Sequence, residues 1–219
     1  MATSKNLHAC RLCEIAAGKR EHEYDTPVLM GAGYFGIASV GGFVPGWSLL
    51  CTSNHLHNLA EDYQEAALQE SLSLLVHAVN RSFGDCAIFE HGAVGESSAT
   101  ACGTSHAHIH AVPFAGRLAD LAVATEPGLC WEPVRLREVA AAANGSEYLY
   151  VANRYAGVDT VGYLAVLMSP RSQFFRHLIA AHLKVPHLAD YRRAPLETLS
   201  GSTALKVRAE ADRLSRRAA

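Results

Sequence analysis

The chain has 219 residues, 49% of them apolar, enough for one large domain with a sizeable core. A formal net charge of −2 gives no drive toward nonspecific nucleic-acid binding, and no sequence-specific nucleic-acid partner is expected. No run approaches the roughly 18 to 20 apolar residues of a membrane span, and MATSKNLHACRLCEIAAGKR lacks the apolar stretch of a secretory signal, so a soluble, cytoplasmic protein is expected.

Taken in order, the chain first presents Cys10-Arg-Leu-Cys13, which in an intracellular protein reads as a metal or redox motif rather than part of a disulfide framework. VLMGAGYFGIASVGGFVPGWSLLCT is rich in glycine and strand formers, with Val44-Pro45-Gly46 as the turn between two strands. A helix is predicted from near Asn58 to Phe83. Leu68, Leu72, Leu75, Val76, Val79 and Phe83 recur at spacings of three and four, and Asn58 stands where an N-cap would. CAIFEHG and SHAHIHAVPF then read as two neighbouring strands. Beyond Pro113 the pattern predicts a helix near 115–125, strands at 131–139, 147–153 and 161–168, and helices from about 171 onward. GSEYLYVANRYAGVDTVGYLAVL reads as a hairpin with a long loop. The clustered Arg208, Arg213, Arg216 and Arg217 read as a solvated helix end or a binding surface. Cys51, Cys86, Cys102 and Cys130 read as small buried residues.

The chemistry concentrates in His106-Ala107-His108-Ile109-His110-Ala111-Val112. In a strand, residues i, i+2 and i+4 share a face, so three imidazoles project to one side while Ala107, Ile109 and Ala111 pack on the other. A neutral imidazole is a competent nucleophile at phosphorus near neutral pH, provided its other nitrogen is held in one tautomer. Backbone amides around Cys102, Gly103 and Thr104 could cradle a phosphate, since glycine permits close approach. A metal-binding ribbon, or an accidental His-rich strand, is the competing account of the same segment.

HAHIHAV matches the histidine-triad motif, His-φ-His-φ-His-φ-φ with φ apolar, at all seven positions, and the chain here resembles that superfamily. The resemblance covers most of residues 8–114, including the Cys pair, the Pro45-Gly46 turn, a strand ending near His55 and the long helix. It implies an α+β fold, an antiparallel sheet carrying the long helix, in a core domain of residues 1–115. Residues 116–219 then form a C-terminal α/β extension. It also implies that His108 takes up a nucleotidyl group, that His110 contacts phosphate, and that two copies pair as a homodimer. Ser39 and Val40 fall where the family places ribose and base contacts. Glu90-His91-Gly92 stands where many relatives read Asn-x-Gly, which places Glu90 beside the phosphate site. The loop from Gly92 to His106 is longer than in the compact members.

Two thiolates in a two-residue spacing suit zinc, which takes four ligands. His55 and His106 are the candidates for the other two, with His57 an alternative to His55. The resemblance supports the first set: some triad proteins, and the related hexose-phosphate uridylyltransferases, use two cysteines, a histidine before the long helix and the first triad histidine. A structural Zn2+ on Cys10, Cys13, His55 and His106 is therefore expected.

Near the C-terminal end, Gln173 and Arg176 lie three residues apart at a helix start, hence on one helical face. They are read either as a surface pair or as a face that closes over the pocket, with Arg176 supplying charge to a substrate phosphate or carboxylate. The expected activity is hydrolysis at the α-phosphate of a small-molecule, nucleotide-like substrate, a dinucleoside polyphosphate or nucleoside phosphoramidate. Transfer to phosphate or a sugar phosphate by the same mechanism is the alternative, as is a zinc-stabilised nucleotide-binding module. His110 stands where the uridylyltransferases carry Gln, which favours the hydrolase.

Overall fold

The computed structural model describes residues 10–95, 98 and 105–218. In chain order the regular elements are α1 (Arg11–Ala16), β1 (Leu29–Gly31), β2 (Tyr34–Ala38), β3 (Ser48–Thr52), α2 (Ala66–Phe83), β4 (Cys86–Gly92) and β5 (His108–Pro113). There follow α3 (Leu118–Thr125), β6 (Glu132–Arg135), α4 (Val139–Ala143), β7 (Tyr148–Ala152), β8 (Val161–Val166), α5 (Phe174–His182) and α6 (Glu197–Ala218). The eight strands form one sheet in the order β1-β2-β3-β5-β4-β7-β8-β6, with every neighbouring pair antiparallel. The fold is α+β. Among the described residues no helix is long and apolar enough to cross a membrane.

Both faces of the sheet are covered, which is why β2, β3 and β7 are buried along their whole length rather than at alternate residues. Leu50, Ile88, Ile109, Tyr148 and Tyr150 point to the side of α2 and α6. There they meet Leu68, Leu72, Leu75 and Val79 of the first helix, and Ala204, Val207 and Ala211 of the second. Their strand neighbours Leu49, Cys51, Phe89, Leu149 and Val151 point to the side of α1, α3 and α5, against Leu12, Ile15, Leu118, Phe175 and Ile179. The period-two alternation of each strand thus sorts one sequence into two cores.

The boundary expected at residues 115 and 116 falls inside this sheet. β4 pairs with β7, so the later strands extend the triad-bearing sheet instead of building one of their own. α6 packs along α2, and the ion pair from Arg81 Nε to the buried Glu210, 2.5 Å, fixes their contact. Arg208, expected in a solvated tail, donates to the carbonyls of Thr26 and Pro27 and straps α6 across the edge of the core.

Two local expectations change. α2 begins at Ala66, after a 3-10 turn at Asp62–Gln64, not at Asn58. The Asn58 side chain accepts from Ala60 N and donates to Ala93 O, stabilising a loop rather than a helix start. Cys51 and Cys86 are buried as expected, but Cys130 is exposed, and Cys102 lies outside the described residues. The Pro-Gly turn is found where the sequence places it. Gly46 has φ +90°, and a β-carbon there would lie 2.6 Å from the Phe83 ring, so position 46 accepts only glycine without distortion.

Candidate functional site

β5 carries the histidines, and the sheet decides which way they face. Ala107, Ile109 and Ala111 enter the α2-side core, so His108 and His110 project from the opposite face. They lie across from Cys51 and Leu49 of β3, with Phe89 of β4 paired to His110 on the other side. The Phe89 ring stacks on His110 with centroids 4.3 Å apart and planes 15° from parallel. The His108 and His110 centroids are 4.8 Å apart.

Hydrogen bonding sets the two tautomers. His108 Nδ1 lies 2.7 Å from the His106 carbonyl oxygen, which can only accept, so Nδ1 holds the proton and Nε2 the lone pair. The Trp47 indole N–H donates to His110 Nδ1 at 2.9 Å, so His110 carries its proton on Nε2. Burial lowers the pKa of His108, partly offset by its bond to the His106 carbonyl. Burial, then the nearby His108, Arg176 and His91, hold His110 well below the usual range. His91 follows Phe89 on the same face of β4, and burial together with His108 pushes it down to about 4. The histidines of this face are therefore neutral at physiological pH, the form in which imidazole attacks phosphorus or donates one hydrogen bond.

His106 is turned away from this work. Its Nε2 donates to the Thr52 carbonyl at 2.7 Å, leaving Nδ1 with a lone pair aimed at two thiols, Cys10 Sγ and Cys13 Sγ, each 3.4 Å away. His55 Nδ1 lies 3.2 Å from Cys13 Sγ. The four ligand atoms fall within 4.8 Å of one another and could hold a metal ion. Burial and the adjacent Cys10 push the Cys13 thiol up to about 11, a resistance to ionisation that a bound cation would remove. His57, the alternative ligand, instead donates from Nδ1 to the Ser105 carbonyl at 2.9 Å.

Several expected substrate contacts are not brought to this face. Ser39 is buried: its carbonyl accepts from Ser200 Oγ at 2.9 Å and its own hydroxyl turns to the Val40 carbonyl. Val40 packs against the α2-side core. The C-terminal segment lies over both, with Gly41 N donating to Pro195 O at 2.7 Å and the β-carbon of Tyr191 pressed onto Gly41. Gly103 and Thr104 lie outside the described residues.

Glu90 also departs from expectation. It points to the α2 side, fully buried, and accepts from Leu59 N at 2.8 Å and from the Tyr63 and Tyr148 hydroxyls at 2.5 Å. Its strand parity opposes that of His91, so it is a core anchor rather than a phosphate contact. Burial, only partly countered by those three donors, raises its pKa to about 7. A carboxyl raised in the folded state stabilises fully below the unfolded value near 4.5, and that contribution fades as pH rises through about 7. Between about pH 5 and pH 8 the stability of the wild type should therefore fall relative to Glu90→Gln, by up to about 3 kcal/mol. Denaturant titrations of both proteins at the two pH values check this; a gap that does not move with pH would refute it.

Gln173 and Arg176 do not share an exposed helical face. Gln173 caps α5 in the left-handed region, φ 52°, outside the helix proper. Arg176 is buried and donates from Nε to the Ala189 carbonyl at 2.8 Å and from its terminal nitrogen to the Gly41 carbonyl. Its guanidinium lies 5.0 Å from the Trp47 ring centroid and 5.4 Å from that of Phe43. Arg176→Ala would leave two buried carbonyls without their donor and empty a packed site. A loss of about 2 to 4 kcal/mol is expected, read as a lowered Tm. An unchanged Tm would return Arg176 to the surface role.

Trp47, Thr52 and His91 escaped the sequence reading. His91 was findable, because β4 and β5 alternate side by side and Phe89 and His91 share the parity of the triad face. Trp47 gave no such signal, since an apolar strand residue after a turn reads as core. No family model matches the chain, and no curated protein matches it.

Proposed function

We propose that the chain is a histidine-triad hydrolase that cleaves at the α-phosphate of a nucleotide-like substrate through a nucleotidyl-histidine intermediate. The observation that carries this is the 2.7 Å bond from His108 Nδ1 to the His106 carbonyl, which commits the lone pair to Nε2. Nε2 attacks the α-phosphorus, the bond to the leaving group breaks, and the leaving group departs with its electron pair. The Nδ1 proton stays on the ring, where the carbonyl dipole stabilises the cationic adduct. His110 donates its Nε2–H to a non-bridging oxygen as negative charge builds there. Water then attacks phosphorus, the phosphorus–nitrogen bond breaks, and a nucleoside monophosphate leaves with His108 restored and a proton released. Phosphate in place of water would make the same machinery a phosphorylase.

The ligand set is proposed to hold zinc. With bonds of about 2.3 Å to sulfur and 2.0 to 2.1 Å to nitrogen, a tetrahedral zinc separates sulfur from nitrogen by about 3.5 Å. Three of the four sulfur–nitrogen distances, at 3.2 and 3.4 Å, come within a few tenths of that. The Thr52 carbonyl fixes the ring of His106, the usual arrangement around a ligating histidine. This cluster equally favours the second reading, a zinc-stabilised nucleotide-binding module, and turnover separates the two. Purified protein should release nucleoside monophosphate from a panel of dinucleoside polyphosphates and nucleoside phosphoramidates. Acid-labile nucleotidyl label should appear on His108. Binding of these compounds with neither turnover nor adduct would favour the module.

A further inference from the structure

The C-terminal segment reaches the triad through an intermediary, Trp47, which stands between Arg176 and His110. Trp47, on the turn into β3, is 1% exposed, and its indole N–H is directed at His110 Nδ1 at 2.9 Å. The indole also meets Phe89 edge-on, with centroids 5.9 Å apart, while Phe89 stacks on His110. Behind it lies the buried guanidinium of Arg176 from α5, 5.0 Å from the ring centroid and tied to the carbonyls of Gly41 and Ala189. Phe175, the preceding residue of α5, packs on Phe89 with centroids 4.5 Å apart.

We infer that Trp47 is a positioning residue that holds His110 with its Nε2–H directed at the substrate phosphate, and that α5 holds Trp47 through Arg176 and Phe175. An imidazole free to rotate or to protonate at Nδ1 would present its donor in the wrong place for part of the time. The indole N–H opposes both: two N–H groups cannot face each other at 2.9 Å, and a rotated ring would offer it a C–H in place of an acceptor. A buried N–H without an acceptor is itself costly, so the pair locks in both directions. The later half of the chain thereby acts on the reaction without touching substrate, which explains why Arg176 is buried beside the site rather than exposed in it. This rests on the hydrolase reading for its consequence on rate, but not for the hydrogen bond itself.

The test uses the full-length protein with Trp47 replaced by benzothienylalanine, an isostere in which sulfur takes the place of the indole N–H, and Trp47→Phe as a second variant. In the unsubstituted, nitrogen-15-labelled protein, a scalar coupling should be seen between the Trp47 indole nitrogen and His110 Nδ1 across the hydrogen bond. In the isostere the His110 Nδ1 resonance should move to that of an acceptor without a donor. Its kcat should fall by about tenfold or more, with KM changed less than about threefold and Tm retained. Trp47→Phe should repeat the kinetic split even if its Tm falls. No coupling in the unsubstituted protein, or an isostere with unchanged His110 resonances and kcat, overturns the inference. A coupling that appears in a protein inert toward every nucleotide substrate would instead uphold the hydrogen bond and defeat the hydrolase reading.

Discussion

His108→Ala is expected to lower turnover by about four powers of ten or more, while Kd for a non-hydrolysable substrate analogue stays within a few-fold of the wild type. Three features of the site set that expectation. His108 Nε2 carries a lone pair on the triad face, whereas His110 presents an N–H there, so His110 cannot take over the attack. The ring is half-buried and, among the described residues, makes one hydrogen bond, to a backbone carbonyl, so its removal costs about 1 kcal/mol of stability and leaves the sheet intact. Nucleophile removal acts on the transition state and little on the ground state, which is why the loss falls on kcat rather than on affinity. His108→Asn gives the same outcome with a smaller void. Single-turnover rates with acid-quenched mass spectrometry are the measurement. Wild-type turnover in His108→Ala, or a nucleotidyl adduct mapped to another residue, would end the nucleophile assignment.

The sequence disclosed the triad face because alternation along one strand is a local property, fixed by backbone geometry whatever the rest of the chain does. The same holds for Cys10 and Cys13, whose spacing places both sulfurs at the start of one short helix. It held less well for Ser39, Val40 and Arg176. Their surroundings depend on where residues 189–200 return, more than a hundred positions from residues 39–41, and no periodicity reports that. Glu90 shows a third kind of failure. Its place in the motif suggested the phosphate site, but strand parity, readable from Phe89 and His91, already assigned it to the other face. The proposed boundary near residue 115 failed to mark a break in the sheet for a related reason. The apolar residues of β7 alternate to both sides, which calls for cover on both faces, and β7 finds that cover as a strand paired with β4 inside the shared sheet.

Purified protein is expected to carry one zinc per chain, and the double substitution Cys10→Ser with Cys13→Ser to remove it. Four ligand atoms within 4.8 Å of one another, two of them sulfur and three sulfur–nitrogen pairs at 3.2 to 3.4 Å, suit a cation that is soft and tetrahedral. Without the cation the site is poor, because burial and the adjacent Cys10 hold the Cys13 thiol up to about 11. With the cation, α1 and the loop bearing His55 are fastened to the start of the triad strand. Structural zinc in small domains contributes about 10 kcal/mol or more of binding free energy. Even about 4 kcal/mol of it expressed as stability would correspond to a Tm roughly 8 to 16 °C lower in the double variant, for a chain of this size. The effect should reach catalysis as well. The carbonyl that fixes the His108 tautomer belongs to His106, the residue the cluster anchors, so loosening His106 loosens the nucleophile's partner. The double variant should therefore lose kcat by more than its residual folded fraction accounts for, and His55→Ala should show a weaker form of both losses. Elemental analysis and melting curves decide the first part, and rates measured well below the variant's Tm decide the second. Zinc retained at one per chain in the double variant would show that these four residues are not its site.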